Sequence, residues 1–483
     1  MARRRFDSSR LFYSKARIVY INQFREGHAV YSEENDKLEG GWVWIKGNGF
    51  WPKMPVILNG DGVPWDLGNL YLMCLLDNSI HVKLDTIQDR AKSLCFYLKF
   101  IEDENLDLLN FPAQVRKRPT YRFRYKLQEF IDLGMASSTA RKHIGHIVAF
   151  YQGLLHYSLV DKHLLSERPF RIFKKNVRVL SNEGLSRFKE VQTTDISIRQ
   201  TRSSNVPRRI IDGGILRPLS MEEQDAIIWG FEQRYCSIET ELMMLIMLST
   251  GSRVQSTCTL RVAHIIDAYK ELKKSGKSWV FIHSHKSRYS IDTKQSKPHN
   301  FRFPKILIER IYTYILSPNY IKRASSSYFG HTDENYIFLT DQSTPFYTSQ
   351  SEIFKRQEDV NSMESKPFKQ RNGNSLRANI RNFIARLRVD IPTIEDFTAH
   401  DLRATFGMNL VRRLARDPGK RFTTTHMELA VKTALNHSDI RTSRRYVNFD
   451  EIVANQNYLN QVYEEFVLDG YKVTEAIYGD EGI

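Results

Sequence analysis

Between residues 84 and 109 the apolar side chains of LDTIQDRAKSLCFYLKFIEDENLDLL return at steps of three and four, which lays them along one face of a helix. The same period runs through YKLQEFIDLG and through SSTARKHIGHIVAFYQGLLHYSL, whose N-terminal half carries Arg141, Lys142, His143 and His146. Three amphipathic helices in succession predict a compact helical domain over 76–165. A longer patterned stretch, 221–450, predicts helices at MEEQDAIIWGFEQRY, IETELMMLIMLST, PKILIERIYTYIL, SLRANIRNFIARLR and HMELAVKTALN, with short strands at KSWVFIHSH, HNFRFP and NYIFLT. The fold class that follows is mainly α with a small β-sheet, an α+β chain.

Elsewhere the helical period weakens. Residues 1–75 contain GGWVWIKGNGFWPKMPVIL, aromatic, β-branched and basic residues broken by glycine and proline, which predicts a small strand-rich segment of unknown role. Its aromatics between Lys46 and Lys53 either contact DNA or pack a local core. From 166 to 220 periodicity fades while twelve Lys or Arg face five Asp or Glu, predicting an extended basic linker. Beyond Asp450 seven acidic residues face Lys472 alone, and YLNQVYEEFVL predicts a helix in an acidic C-terminal tail, 451–483.

Charge narrows the partners. Over 483 residues, 71 Lys and Arg outnumber 55 Asp and Glu, for a formal net charge of +16, which favours polyanions. Cys74, Cys95, Cys236 and Cys258 stand far apart, without the close pairs of a zinc site, and read as reduced core residues. MARRRFDSSR is basic with no apolar run after it, and no stretch approaches the roughly 18 apolar residues of a membrane span. The expected location is the cytoplasm, on the nucleoid, with no membrane partner.

Several chemistries lack their motifs: there is no GxxxxGK[ST], HExxH or GxSxG. His283 and His285 alternate as strand ligands would, but no third ligand accompanies them at an obvious spacing, so no metal is assigned. Arg253 follows an apolar helix and a Ser-Thr-Gly-Ser break in LIMLSTGSRVQSTCTLRVAHI, a position that points inward. A buried arginine either joins an internal carboxylate or serves an anionic ligand. In FTAHDLRATFGMNLVRRL, His400 and Arg403 stand three apart at a helix start and share a face. In ALNHSDIRTSRRYVNFD, His437 sits in a turn after a helix and Tyr446 lies nine residues on.

In this order and spacing the three motifs resemble those of the tyrosine recombinases, or phage-type integrases: an Arg, a His-x-x-Arg, then Leu-Gly-His-Ser and a Tyr nine residues later. The resemblance covers 240–450 closely and 80–165 more loosely, where the helices look like that family's core-binding DNA domain. It implies a catalytic domain over 221–450 that cleaves and rejoins DNA through a 3′-phosphotyrosine on Tyr446, with integration or excision of a mobile element as the expected role.

Carried over by residue, Arg253 and Arg403 clamp the non-bridging oxygens of the scissile phosphate, a task suited to a planar, permanently charged fork. His400 serves as general base and His437 donates a hydrogen bond to the phosphate. Lys286 is the expected general acid, with Lys294 and Lys297 in the same long hairpin as alternatives. No cofactor or metal is implied, and the partners are double-stranded DNA sites and three further copies of the chain in a homotetramer.

Two positions depart from the pattern: Ser256 stands where many relatives carry Glu or Asp, and Asn436 replaces the usual glycine before His437. Asparagine can also adopt positive φ. The same residues would serve a type IB topoisomerase-like strand relaxation, and the same fold without the activity would be a DNA-binding accessory protein.

Overall fold

A computed structural model describes residues 11–21, 24–32, 41–51, 53–77, 84–161, 163, 169–180, 186–199, 209–358, 369–417 and 422–450. Helices dominate, and the described strands form five two-stranded antiparallel pairs. The chain divides into two compact units, Met1–Ser203 with Arg356–Lys369, and Ser204–Lys355 with Gln370–Ile483. The division falls inside the segment whose charge suggested a linker. The predicted tail helix lies outside the described residues.

In the first unit β1 (Arg17–Ile21) pairs with β4 (Met54–Leu58), and β2 (Phe24–Ser32) pairs with β3 (Gly41–Trp51). Of the aromatics between Lys46 and Lys53, Trp51 packs against the unit's core, while the side chain of Phe50 lies outside those described. Helix α1 (Asp66–Asp77) occupies part of the segment expected to be strand-rich. DLGNLYLMCLLD is apolar at most positions, so its period could not separate helix from strand, and packing decides: Tyr71 meets Phe150 edge-on at 5.4 Å.

The three expected helices are α2 (Leu84–Asp103), α3 (Pro119–Asp132) and α4 (Ser137–His156). Ile87, Leu94, Tyr97 and Ile101 of α2 share a core with Ile144, Ile147, Tyr151 and Leu154 of α4. The Tyr97 and Tyr151 hydroxyls, both buried, meet at 2.9 Å, and Tyr151 donates on to the Leu108 carbonyl at 2.9 Å, so that both are satisfied.

The basic segment is not simply extended. Ile172–Leu180 (β5) and Ser186–Thr194 (β6) pair from Ile172↔Thr194 to Leu180↔Ser186. Charge marks such a segment as solvated but does not prevent a hairpin, which needs alternation and backbone pairing.

The second unit opens with a short hairpin, β7 (Ile210–Ile211) and β8 (Ile215–Leu216). Ser220 and Glu223 then form a reciprocal cap on α5 (Met221–Glu232). Helix α6 (Ile238–Thr250) is apolar on nearly every side, and Leu242, Met243, Met244, Ile246 and Met247 have no exposed surface, which makes it the central helix of the unit. Around it lie α7 (Val254–Cys258), α8 (Val262–Ser275), α9 (Lys305–Ile315), α10 (Pro318–Ser325) and α12 (Asn374–Asp390), with α11 (Gln350–Glu358) between the last two in sequence.

The hairpin of β9 (Trp279–His283) and β10 (Asn300–Pro304) turns Val280, Ile282, Phe301 and Phe303 into this core. NYIFLT, expected as a third strand, is not one. Its Tyr336, Ile337, Phe338 and Leu339 are fully buried, but the backbone makes only isolated bridges, Arg261↔Tyr336 and Leu339↔Pro345. The Tyr336 carbonyl instead accepts from the Tyr320 hydroxyl at 2.9 Å.

A second, smaller core joins Ile210 and Leu216 of the β7–β8 hairpin to α13 (Ala399–Ala415), α14 (Thr424–Leu435) and α15 (Ile440–Val447) through Ala404, Met408, Val431, Leu435 and Tyr446. Cys95 and Cys258 are buried, and Cys74 and Cys236 half-buried.

Candidate active site

The start of α7, the first turns of α13 and α15, the turn after α14, the β7–β8 turn and the loop before β10 surround a cavity of about 200 Å³ lined by Arg253, Arg403, His437, Lys294, Lys297 and Asp212, among others. Each expected side chain arrives by a local device. Gly251 closes α6 in the left-handed conformation, φ 65°, and Arg253 then takes the N-cap position of α7. Arg253 is half-buried and, among the described residues, its guanidinium makes no hydrogen bond or ion pair. Of the two readings for an inward arginine, an internal carboxylate partner is therefore not the one observed.

Thr398 caps α13, its hydroxyl accepting from the His400 amide and donating to Asp401 Oδ2 at 2.9 Å. Asp401 in turn accepts the Arg217 amide at 2.6 Å, fixing the helix start against the chain that leaves β8. Arg403 is 1% exposed, and its two Nη groups donate to main-chain carbonyls, Nη1 to Gly251 and Nη2 to Leu435 at 2.5 Å. Its Nε makes no hydrogen bond among the described residues; Asp212 Oδ2 lies 3.7 Å away. Burial, then the charge of Arg253, lowers the Arg403 pKa to about 10, so the group stays charged at neutral pH.

His400 is half-buried one turn before Arg403, outside the residues that line the cavity. Burial and the Arg403 charge lower its pKa, leaving a neutral ring near pH 7.

Asn436 ends α14 at φ 50°, ψ 50°, the positive φ expected where a glycine is usual. Its side-chain amide donates to the Pro298 carbonyl at 2.9 Å, tying the lysine-bearing loop to the site. His437 is buried, with Nδ1 2.9 Å from Ser443 Oγ and Nε2 3.0 Å from Asp212 Oδ2. Tyr446 on α15 has no exposed surface, and its hydroxyl donates to the same oxygen, Asp212 Oδ2, at 3.1 Å. Burial, then the negative charge of Asp212, pushes its phenol well above the usual tyrosine range.

The structure separates the three lysines. Lys286 is exposed in the turn after β9 and does not line the cavity, whereas Lys294 and Lys297 both do. Lys297 Nζ donates to Ser438 Oγ at 2.6 Å, one residue from His437. The sequence could not make this distinction, since the loop is long and all three lysines precede β10. Ser256, at the position where an acid is common, donates instead to the Asp292 carbonyl at 2.8 Å. His283 Nδ1 meets Asn300 Oδ1 at 2.7 Å and His285 Nδ1 meets Ser284 Oγ at 2.7 Å, so the two rings serve separate partners.

Among the lining residues that escaped the sequence reading are His299 and Asp212. His299 is buried beside Phe301, with Nε2 3.1 Å from the Ala434 carbonyl, and burial lowers its pKa to about 4. Asp212 sits in the β7–β8 turn, 225 residues before His437 and 234 before Tyr446. Burial alone would raise its carboxyl, but the hydrogen bond from His437 and the charge of Arg403 hold it well below the usual carboxylate range. No local motif marks either residue.

No family model matches the chain, and no curated protein matches it. Solved structures do show likenesses. The Tn1549 transposon integrase in complex with transposon right end DNA is 13% identical over 82% of this chain and 99% of its own, with a TM-score of 0.42. XerH site-specific recombinase bound to palindromic difH substrate is 14% identical over 83% and 90%, with a TM-score of 0.42. A lambda integrase dimer bound to a COC′ core site is 13% identical over 80% and 77%, with a TM-score of 0.37.

Chemically, the cavity is lined by arginine cations and a histidine N–H, and the phenol of Tyr446 lies buried behind Asp212, bonded to the same carboxylate oxygen as that histidine. Such a set of donors can hold a tetrahedral oxyanion beside a nucleophile.

Proposed function

We propose that this chain is a site-specific DNA recombinase of the tyrosine recombinase type, cutting and rejoining duplex DNA through Tyr446. The observation that carries the reading is the convergence of Tyr446, His437 and Arg403 on a single carboxylate oxygen, Asp212 Oδ2. An oxygen bearing negative charge sits where these groups would meet a non-bridging oxygen of the scissile phosphate.

In the reaction the Tyr446 oxygen attacks phosphorus, the P–O5′ bond breaks, and the chain holds a 3′-phosphotyrosine while the 5′-hydroxyl leaves. The bond energy is kept in the ester, so rejoining by a 5′-hydroxyl needs no nucleotide. Arg253 and Arg403 offset the charge on the phosphate, and His437 Nε2 donates to it in the transition state. His400, neutral near pH 7, takes the phenolic proton. Lys297, with Lys294 beside it on the cavity wall, is better placed than Lys286 to protonate the leaving 5′-oxygen.

In the first unit Ser138, Arg141, Lys142, Gly145 and His146 of α4 line a shallow depression suited to duplex backbone, as a core-binding domain requires. The net charge of +16 supports the same partner. The role we assign is integration or excision of a mobile element by four copies on paired sites.

The test is covalent trapping. The full chain is incubated with nicked duplex fragments, including those flanking its own gene, then denatured. The expected product is DNA attached to Tyr446 and absent with Tyr446→Phe. A lack of adduct on DNA that the protein measurably binds would replace this reading with that of a non-catalytic DNA-binding protein of the same fold.

A further inference from the structure

The turn that carries Asp212 is built to enter the site. Ile210 pairs with Leu216 and Ile211 with Ile215, and the Asp212 amide donates to the Gly214 carbonyl at 3.0 Å. Ile210 and Leu216 are buried in the same small core as Tyr446, while Ile211 and Ile215 face outward. The hairpin therefore grips the domain by one face and directs Asp212 and Gly213 into the cavity. Gly213, at φ 67°, allows a turn this tight. Arg445, beside Tyr446, donates to the Ile211 carbonyl at 2.6 Å, and the chain after the hairpin is held by Asp401 and by Thr405, which accepts the Leu219 amide at 2.9 Å.

Asp212 Oδ2 uses the Tyr446 hydroxyl and His437 Nε2 and faces Arg403 Nε. The side chain is 8% exposed, and Tyr446 is wholly covered. These donors cannot serve a carboxylate and a phosphate at the same point, because two anions sharing one site repel. A role as base for Tyr446 fits poorly, since a carboxylate held by several donors has little affinity for a further proton. The ladder itself is only two residues long, so displacement breaks little backbone pairing and is opposed chiefly by the burial of Ile210 and Leu216 and the bond from Arg445.

We propose that Asp212 is a built-in occupant of the oxyanion position, so that the DNA-free protein is closed by its own carboxylate and the scissile phosphate opens it by displacing the 210–216 hairpin. This rests on reading the cavity as a phosphate site. The device ties exposure of the nucleophile to arrival of the substrate, so that Tyr446 is covered whenever no phosphate fills the site.

The test uses tungstate, a tetrahedral oxyanion, titrated calorimetrically into the full chain without DNA. Asp212→Asn and Asp212→Ser should bind it at least about tenfold tighter than the parent, because an internal competitor lowers apparent affinity by the fraction of sites it leaves open. Asp439→Asn removes a charge from the same cavity wall without touching Tyr446, and it should change affinity far less. Adding Arg403→Gln to Asp212→Asn should abolish the gain. Equal affinity for parent and Asp212 variants, an equal gain in Asp439→Asn, or a gain that survives Arg403→Gln would each overturn the proposal, as would failure of both Asp212 variants to fold, which would make the carboxylate a structural clamp.

Covalent trapping separates this proposal from the function it rests on. Tungstate behaviour as expected, with no adduct from any variant, would leave the occupied oxyanion site standing and remove the recombinase reading. Adducts from the parent with unchanged tungstate affinities would do the reverse.

Discussion

The ring of Tyr446 rests on the bare Cα of Gly407: a Cβ there would lie 2.5 Å from Tyr446 Cε1 and 3.0 Å from Leu435 Cδ1. Gly407 lies within α13, where glycine lowers helix stability, so its presence is explained by what it admits. Gly407→Ala should cost about 1–3 kcal/mol through overpacking, read from urea unfolding. It should also lower the rate of covalent trapping by moving the phenol away from Arg403 and His437. An unchanged trapping rate in a folded variant would show that the ring has other room.

Asn436 makes a different prediction. Its φ of 50° is accessible to asparagine and glycine but strained for a β-branched residue. Asn436→Gly should fold and lose chiefly the bond to the Pro298 carbonyl, whereas Asn436→Val should be destabilised by about 1–3 kcal/mol. Comparing urea midpoints of the two variants checks the order.

The hairpin lysines can be told apart with DNA whose leaving group is a 5′-thiol, which departs without help from an acid. Lys297→Ala should slow trapping on ordinary nicked DNA and be rescued by the thiol substrate. Lys286→Ala should behave like the parent on both. A severe, thiol-rescued defect in Lys286→Ala would return the acid role to the residue first expected from the sequence.

Acid should weaken the protein through buried neutral histidines. Burial lowers the pKa of His143, His264 and His299 from 6.5 to about 4. Between those values the unfolded chain binds protons that the folded chain refuses, so stability is full above pH 6.5 and falls as pH drops toward 4. Each histidine contributes on the order of 3 kcal/mol to that loss. Urea midpoints from pH 7 to 4.5 should fall, and His264→Gln should make the fall shallower. A flat profile would mean that these rings are protonated in place.

What the sequence determined by itself was local. Helices α2, α3, α4, α5, α6, α9, α12 and α14 follow from apolar period, because a helix face is set by residues three and four apart, whereas α8 and α15 were not read from it. Arg253, the His400–Arg403 pair and the His437–Tyr446 spacing were singled out by motif order and resemblance, since each motif is a short run of sequence. The left-handed conformation at Asn436 was legible too, since it depends on one residue's sterics.

Tertiary structure decided the rest. A period cannot say that NYIFLT, buried on every side, threads the core without a strand partner, or that a basic segment pairs as β5 and β6. Three lysines in one loop look alike until Asn436 and Ser438 fix which stretch faces the cavity. Asp212 carries no motif at all. Its role comes from contacts across more than two hundred residues, set by where Ile210 and Leu216 find apolar partners, and hydrophobic burial of that kind is non-directional, so no local pattern announces it.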